Sequence, residues 1–167
     1  LQIPWERDQA GKDLLLPGPV GEYLEVVDQD PEDLSIQPPV DLCSPYVLAQ
    51  NGLPPSEATP QFHQQMVYAV AMRTIRTFEK ALGRLVLWSP ISYRAARGDD
   101  PGQDEQYVQR IRIYPHGLRE ANAYYSPATK SLRFGYFPAP GSRGSAGGEP
   151  ITVFTCLSHD IVAHEMT

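Results

Sequence analysis

A chain of 167 residues with 41% hydrophobic and 20% charged side chains falls in the range of one globular domain long enough to bury a sizeable core. No apolar run approaches the roughly 18 residues that a membrane-spanning helix needs. The formal charge of −6 and pI near 5.1 argue against a nucleic-acid backbone or an anionic membrane surface as partner. Cys43 and Cys156 are too few for a disulfide scaffold; one bridge is open to them, but both are expected reduced and buried. The chain begins at Leu1, not Met, and shows no signal segment, so its natural start is expected upstream or removed.

Ten of the 17 prolines fall in the first 60 residues. They mark residues 1–58 as a proline-rich N-terminal segment with short strands, of which residues 21–28 read as one. Residues 31–60 read mostly as ordered loop, because Leu42, Tyr46, Val47 and Leu48 give apolar anchors that solvated linkers lack. Thr59 is placed to cap a helix, Pro60 suits its first turn and Gly83 stops it. Between them Val67, Ala71, Ile75, Phe78 and Leu82 predict one long amphipathic helix with a core-facing stripe.

The alternation over residues 107–114 predicts a strand with Ile111 and Ile113 inward and Arg110 and Arg112 outward. Residues 122–125 and 132–137, split by Ser126-Pro127-Ala128-Thr129, predict a hairpin. A flexible loop at 141–148 precedes a predicted helix over residues 151–167, with Phe154, Leu157, Ile161 and Val162 on its buried side. The fold class expected is α+β: a mixed or antiparallel sheet with a long packed helix, forming with the N-terminal segment one compact domain. The last helical pattern meets no stop signal before Thr167, so the chain is expected to be a fragment of a longer protein.

Most other chemistry-bearing residues have structural readings. Asp99, Asp100, Asp104 and Glu105 lack the spacing of a calcium-binding loop and read as a solvated acidic turn. His63 and His116 stand alone in sequence and read as surface or cap residues. Cys156 reads as a packing residue on the final helix, and His159 lies too far around that helix to share a metal with His164.

The end of the chain, Asp160-Ile161-Val162-Ala163-His164-Glu165-Met166-Thr167, carries the sharpest signal. Zinc hydrolases place two histidines four residues apart on one helix, with a glutamate beside the first to take a proton from the bound water. Here the first His-Glu pair is present, and the second histidine would fall one residue after Thr167. This run resembles the active-site helix of the thermolysin-like, or gluzincin, metallopeptidases, in which an apolar pair and an alanine precede His-Glu. Asn122-Ala123-Tyr124-Tyr125 resembles that family's substrate-holding edge strand, and Leu132-Arg133-Phe134-Gly135-Tyr136 its return strand. The likeness covers residues 60–167.

The resemblance implies that residues 59–167 are the helix, sheet and start of the active-site helix of a zinc-dependent peptidase. It implies His164 as a zinc ligand, Glu165 as general base, and Asn122, Ala123 and Tyr124 as substrate-binding residues for a peptide or protein. With one ligand in place, zinc is expected in the full-length parent and not in this chain, which is expected to be inactive. The rival reading is a non-catalytic binding module of the same architecture.

Overall fold

The structure, a computed structural model, describes residues 6–7, 10–92, 105–139 and 151–167. Among the described residues, three helices and a mixed sheet make an α+β fold. In chain order the elements are β1 (Leu24–Val26), α1 (Pro45–Ala49), α2 (Pro60–Leu82), β2 (Ile91–Ser92), β3 (Glu105–Gln106), β4 (Ile111–Leu118), β5 (Ala123–Ser126), β6 (Ser131–Pro138), β7 (Thr152–Phe154), a single 3-10 turn (Thr155–Leu157) and α3 (His159–Glu165). The main sheet runs β1-β4-β6-β5, with β7 also paired to β6; β2 and β3 form a separate two-stranded ladder. β1, β4 and β6 are parallel, whereas β5 and β7 are antiparallel to β6.

α2 forms where the periodicity predicts it. Pro60 takes the first helical position, and Gly83 ends the helix in the left-handed region at φ 66°, its N–H bonded to the Glu79 carbonyl. Thr59 is extended but caps nothing with its side chain, because its hydroxyl is engaged by Ser56 at 2.7 Å. Val67, Ala71 and Ile75 are buried as expected. Phe78 and Leu82, predicted on the same stripe, are exposed. The core fills instead from neighbouring positions, Tyr68, Val70 and Met72, packed with Leu24, Val26, Ile113, Leu132 and Phe134 of the sheet. Each such aliphatic or aromatic side chain contributes about 1.5–3 kcal/mol by leaving water.

The buried face of α2 also carries amides, and these hold the proline-rich segment. Gln64 accepts from the Val40 N–H at 2.8 Å and donates to Asp28 Oδ2 at 2.9 Å. Gln65 accepts from the Leu53 N–H and donates to the Leu53 carbonyl, and Gln61 donates to the Pro38 carbonyl. A chain interrupted by prolines cannot build ladders of its own, so side-chain amides, which donate and accept at once, satisfy its backbone.

Two elements differ from the sequence pattern. β4 starts at Ile111 and runs past the predicted end to Leu118. This inner strand contains Pro115, which has no N–H to give the ladder, and the register with β6 shifts between Tyr114 and Leu118. Pro115, His116 and Gly117 are consecutively buried as a result.

The predicted helix over 151–167 is also corrected: residues 152–154 are strand, 155–157 a 3-10 turn, and α3 begins only at His159. Thr152-Val153-Phe154 is β-branched and aromatic and pairs with Tyr136–Pro138, while Ser158 supplies the helix cap, its hydroxyl accepting from the Ile161 N–H. Phe154, predicted on a helix face, therefore sits on β7. The acidic residues Asp99, Asp100 and Asp104 and the loop 141–148 lie outside the described residues; Glu105 enters β3.

Gly135 on β6 permits the closest approach in the sheet. A Cβ there would stand 2.0 Å from the Glu120 carbonyl oxygen and 2.7 Å from that of Asn122, both backbone atoms that no rotamer change can move. Gly135→Ala is expected to destabilise the protein by about 1–3 kcal/mol, because the segment leading into β5 must shift bodily. A lower midpoint of urea unfolding checks this.

Candidate functional site

The predicted site residues come together as two neighbouring elements. β5 closes one end of the strand order and pairs only with β6 among the described residues. α3 packs against β5 and against α2. The hairpin linking β5 to β6 turns through Pro127, Ala128, Thr129 and Lys130, the last at φ 48°.

Along β5, Ala123 and Tyr125 lean toward the core, while Tyr124 is 38% exposed. Asn122 just precedes the strand and is exposed. Its Oδ1 accepts from the Ala123 N–H at 2.9 Å, and its carbonyl accepts from the Gly135 N–H at 2.9 Å. The Thr155 hydroxyl lies in the same knot: it accepts from the Gly135 N–H at 2.9 Å and its proton faces the carbonyls of Gly135 at 3.0 Å and Asn122 at 3.3 Å.

α3 is seven residues long, with Asp160 in its first turn, where a carboxylate suits the helix dipole, and His164 in its last. Val162 is fully buried, and Ile161, Ala163 and Met166 pack against the core. His164 is exposed and Glu165 half-buried. Neither side chain forms a hydrogen bond among the described residues. The last turn is closed from outside the helix: the Thr167 N–H and hydroxyl both donate to the His164 carbonyl, at 3.1 and 2.8 Å.

The donor set on this face is one imidazole and the adjacent carboxylate. A catalytic zinc takes three protein ligands. His164 fits as one of them, and the described residues supply no other beside it.

A second constellation lies inside the molecule, and the reading of His63 and His116 as surface or cap residues is corrected there: both are buried. His63 Nδ1 stands 2.8 Å from His116 Nε2, and His116 Nδ1 stands 2.6 Å from Asp28 Oδ1. The Asp28 carboxylate, itself 4% exposed, also accepts from Gln64. Phe154 packs against both rings at steep angles, with centroids 4.6 Å from His63 and 5.4 Å from His116.

Cys156, in the 3-10 turn, is fully buried, and with one ring nitrogen from each histidine its sulfur forms a set within 4.8 Å of one another. Burial, with the nearby Asp28 charge, pushes the Cys156 thiol up. Burial and the neighbouring His116 push His63 down to about 4, so it is neutral in the folded protein near pH 7. Its Nε2 is buried without a hydrogen-bond partner.

Two features of the sequence underlie this cluster without identifying it. His63 stands four residues before Val67 on the line of Val67, Ala71 and Ile75, and His116 directly follows the proline in the middle of β4.

A cleft of about 230 Å³ opens beside the pair, lined by Asp28, Asp30, Glu57, His63, His116 and Tyr136 among others. At its rim Asp30 accepts from Tyr136 at 2.5 Å and from Arg119 at 3.2 Å. Compared with known protein families, with curated proteins and with solved structures, the chain matches none of them.

Asp30 generates a pH prediction. Partial burial raises its carboxyl, but hydrogen bonds from Tyr136, the Glu32 N–H, Arg119 and the Asp33 N–H outweigh burial and hold it at about 2, against 3.8 for the free side chain. The folded state therefore binds its proton less readily than the unfolded state. The stability so gained is complete above about pH 4 and is lost as the pH falls through 2. Unfolding titrations of Asp30→Asn and the natural sequence should converge across that window, with the variant the less stable at pH 6.

Proposed function

We propose that this chain is the N-terminal part of a zinc-dependent metallopeptidase of the gluzincin type, with peptide-bond hydrolysis as the reaction of the longer protein. The observation that carries the reading is the packing of α3, with His164 and Glu165 at its end, against an edge strand whose outer side is unpaired among the described residues.

An unpaired strand edge offers alternating N–H and C=O groups, and an extended peptide can add to it as a further strand. Asn122, Ala123 and Tyr124 are that edge. Asn122 holds the start of the strand through its side-chain oxygen, which accepts from the Ala123 N–H, and its carbonyl, which accepts from the Gly135 N–H; the exposed Tyr124 ring is available to a substrate side chain. On this reading, a peptide added to the strand would run beside the helix that packs against it. His164, exposed and free of side-chain hydrogen bonds among the described residues, is placed to be one ligand of a zinc ion. That ion, when bound, polarises the scissile carbonyl and its attacking water. Glu165 follows directly, with its carboxylate free to take and return a proton.

The reading requires further ligands from a protein that continues past Thr167, beginning with a histidine at the next position. Three expectations test it. The 167-residue chain cleaves no peptide. A longer protein carrying the natural continuation binds zinc through His164 and hydrolyses peptides. In that longer protein Glu165→Gln lowers kcat by about 10²–10⁴-fold while zinc, measured by elemental analysis, stays bound. Full activity with glutamine at 165 would overturn the role of Glu165 and with it the reading.

A further inference from the structure

His63, His116 and Cys156 come from three elements, α2, β4 and the 3-10 turn before α3, and meet in the interior. Their donors are two imidazoles and a thiol. Each is a good ligand for a borderline-soft ion such as zinc, and none suits calcium or magnesium, which take oxygen ligands.

We propose that His63, His116 and Cys156 bind a zinc ion, which replaces the proton now held between the two rings. His164 is not one of these ligands, and the proposal stands independently of the metallopeptidase reading. It revises the expectation that this chain holds no zinc, which counted ligands only around His164.

Four features of the site favour the ion. The first is tautomer. Asp28 Oδ1, 2.6 Å from His116 Nδ1, accepts a proton held there, and in that tautomer Nε2 presents its lone pair toward His63. A carboxylate on the far nitrogen of a histidine is the usual support of a zinc ligand. Gln64 in turn holds the other oxygen of Asp28.

The second is distance. Two nitrogens on one tetrahedral zinc stand about 3.3 Å apart, given Zn–N bonds of about 2.0–2.1 Å. The facing pair is 2.8 Å apart, so the rings need to open by about half an ångström, and the Cys156 sulfur, which with one nitrogen of each histidine lies within 4.8 Å, needs to close to about 3.5 Å.

The third is the unpaired atom. With Nδ1 of His63 donating to His116, Nε2 is a bare acceptor, buried without a partner, which costs stability. Zinc at Nδ1 moves the His63 proton to Nε2. The backbone of Glu57 and Ser56 lies beside the His63 ring.

The fourth is charge. On binding, the Cys156 thiol loses its proton to solvent; the resulting thiolate and the Asp28 carboxylate together balance the two positive charges of the ion. The cleft beside both histidines opens toward solvent, from which a fourth ligand would come. So placed, the metal ties the long helix, an inner strand and the turn that launches α3.

The test uses the 167-residue chain carrying Cys43→Ser, in which Cys156 is the one remaining thiol. After chelation and removal of the chelator, zinc is added and bound metal is measured after gel filtration; cobalt is then substituted for optical spectra. The proposal expects one zinc per chain, a raised Tm with zinc, and a near-ultraviolet thiolate-to-cobalt charge-transfer band. It expects His164→Ala to leave all three unchanged and Asp28→Asn to weaken zinc binding by about 10–100-fold. Less than stoichiometric metal, bound cobalt without the charge-transfer band, or binding lost in His164→Ala would each overturn it. The spectrum is read on a chain with all three ligands intact, so the result is independent of whether ligand variants fold.

Discussion

The Thr155 hydroxyl is the point on which the outer face depends. It accepts from the Gly135 N–H and faces the carbonyls of Gly135 and Asn122, joining the return strand, the start of the edge strand and the turn that leads into α3. These groups are at an irregular place in the sheet, where β5 has not yet begun and β7 has ended. Without a hydroxyl there, the Gly135 carbonyl would lose this donor, at a cost of about 1–3 kcal/mol, while the Asn122 carbonyl would keep the Gly135 N–H. Glycine at 135 is the other half of the arrangement, since any side chain would push the Glu120 and Asn122 backbone away. The relative placement of β5 and α3 is thus fixed by one small polar side chain and by the absence of another.

The proline-rich N-terminal segment is organised by a different device. Apart from β1, which pairs with β4, its bridges are isolated pairs such as Gly18 with Val40 and Gln29 with Ile36. What holds it is a polar line on an otherwise apolar helix: Gln61, Gln64 and Gln65 engage backbone at Pro38, Val40 and Leu53, and the Tyr68 hydroxyl donates to Glu6. Glu6 also accepts from the Glu22 N–H, which draws the segment before β1 onto the same helix. The segment is therefore part of the folded body without contributing a layer to it.

Legibility in the sequence follows the strength of local signals. α2 and the β5–β6 hairpin are readable because proline, glycine and period agree there. The stretch from Thr152 to Leu157 misleads because Phe154 and Leu157 keep helical spacing with Ile161; pairing with β6 outweighs that spacing, and Ser158 is the true cap. The buried histidines escape sequence reasoning for a physical reason. Strand alternation places His116 with Arg112 and Tyr114, away from the core, and only the register shift at Pro115 turns it inward. His63 is on the apolar line of α2, but a polar residue on such a line identifies its partner only when the facing strand is known. The juxtaposition of α3 and β5 is likewise a matter of topology, which no local pattern encodes.

Residues 155–166 connect the two constellations. Thr155 and Cys156 point to the interior, Val162 is buried, and His164 is exposed at the far end of a helix barely two turns long. A helix of that length has little stability of its own and takes its position from its anchors. One anchor is Val162 in the core; the other is the 3-10 turn, held by the Thr155 hydroxyl and the packing of Cys156. Whatever fixes Cys156 among His63 and His116 therefore also fixes where α3 begins, two residues later at the Ser158 cap. The interior cluster acts on the outer face as a positioning element, through the backbone of the turn and without contact with any group on that face.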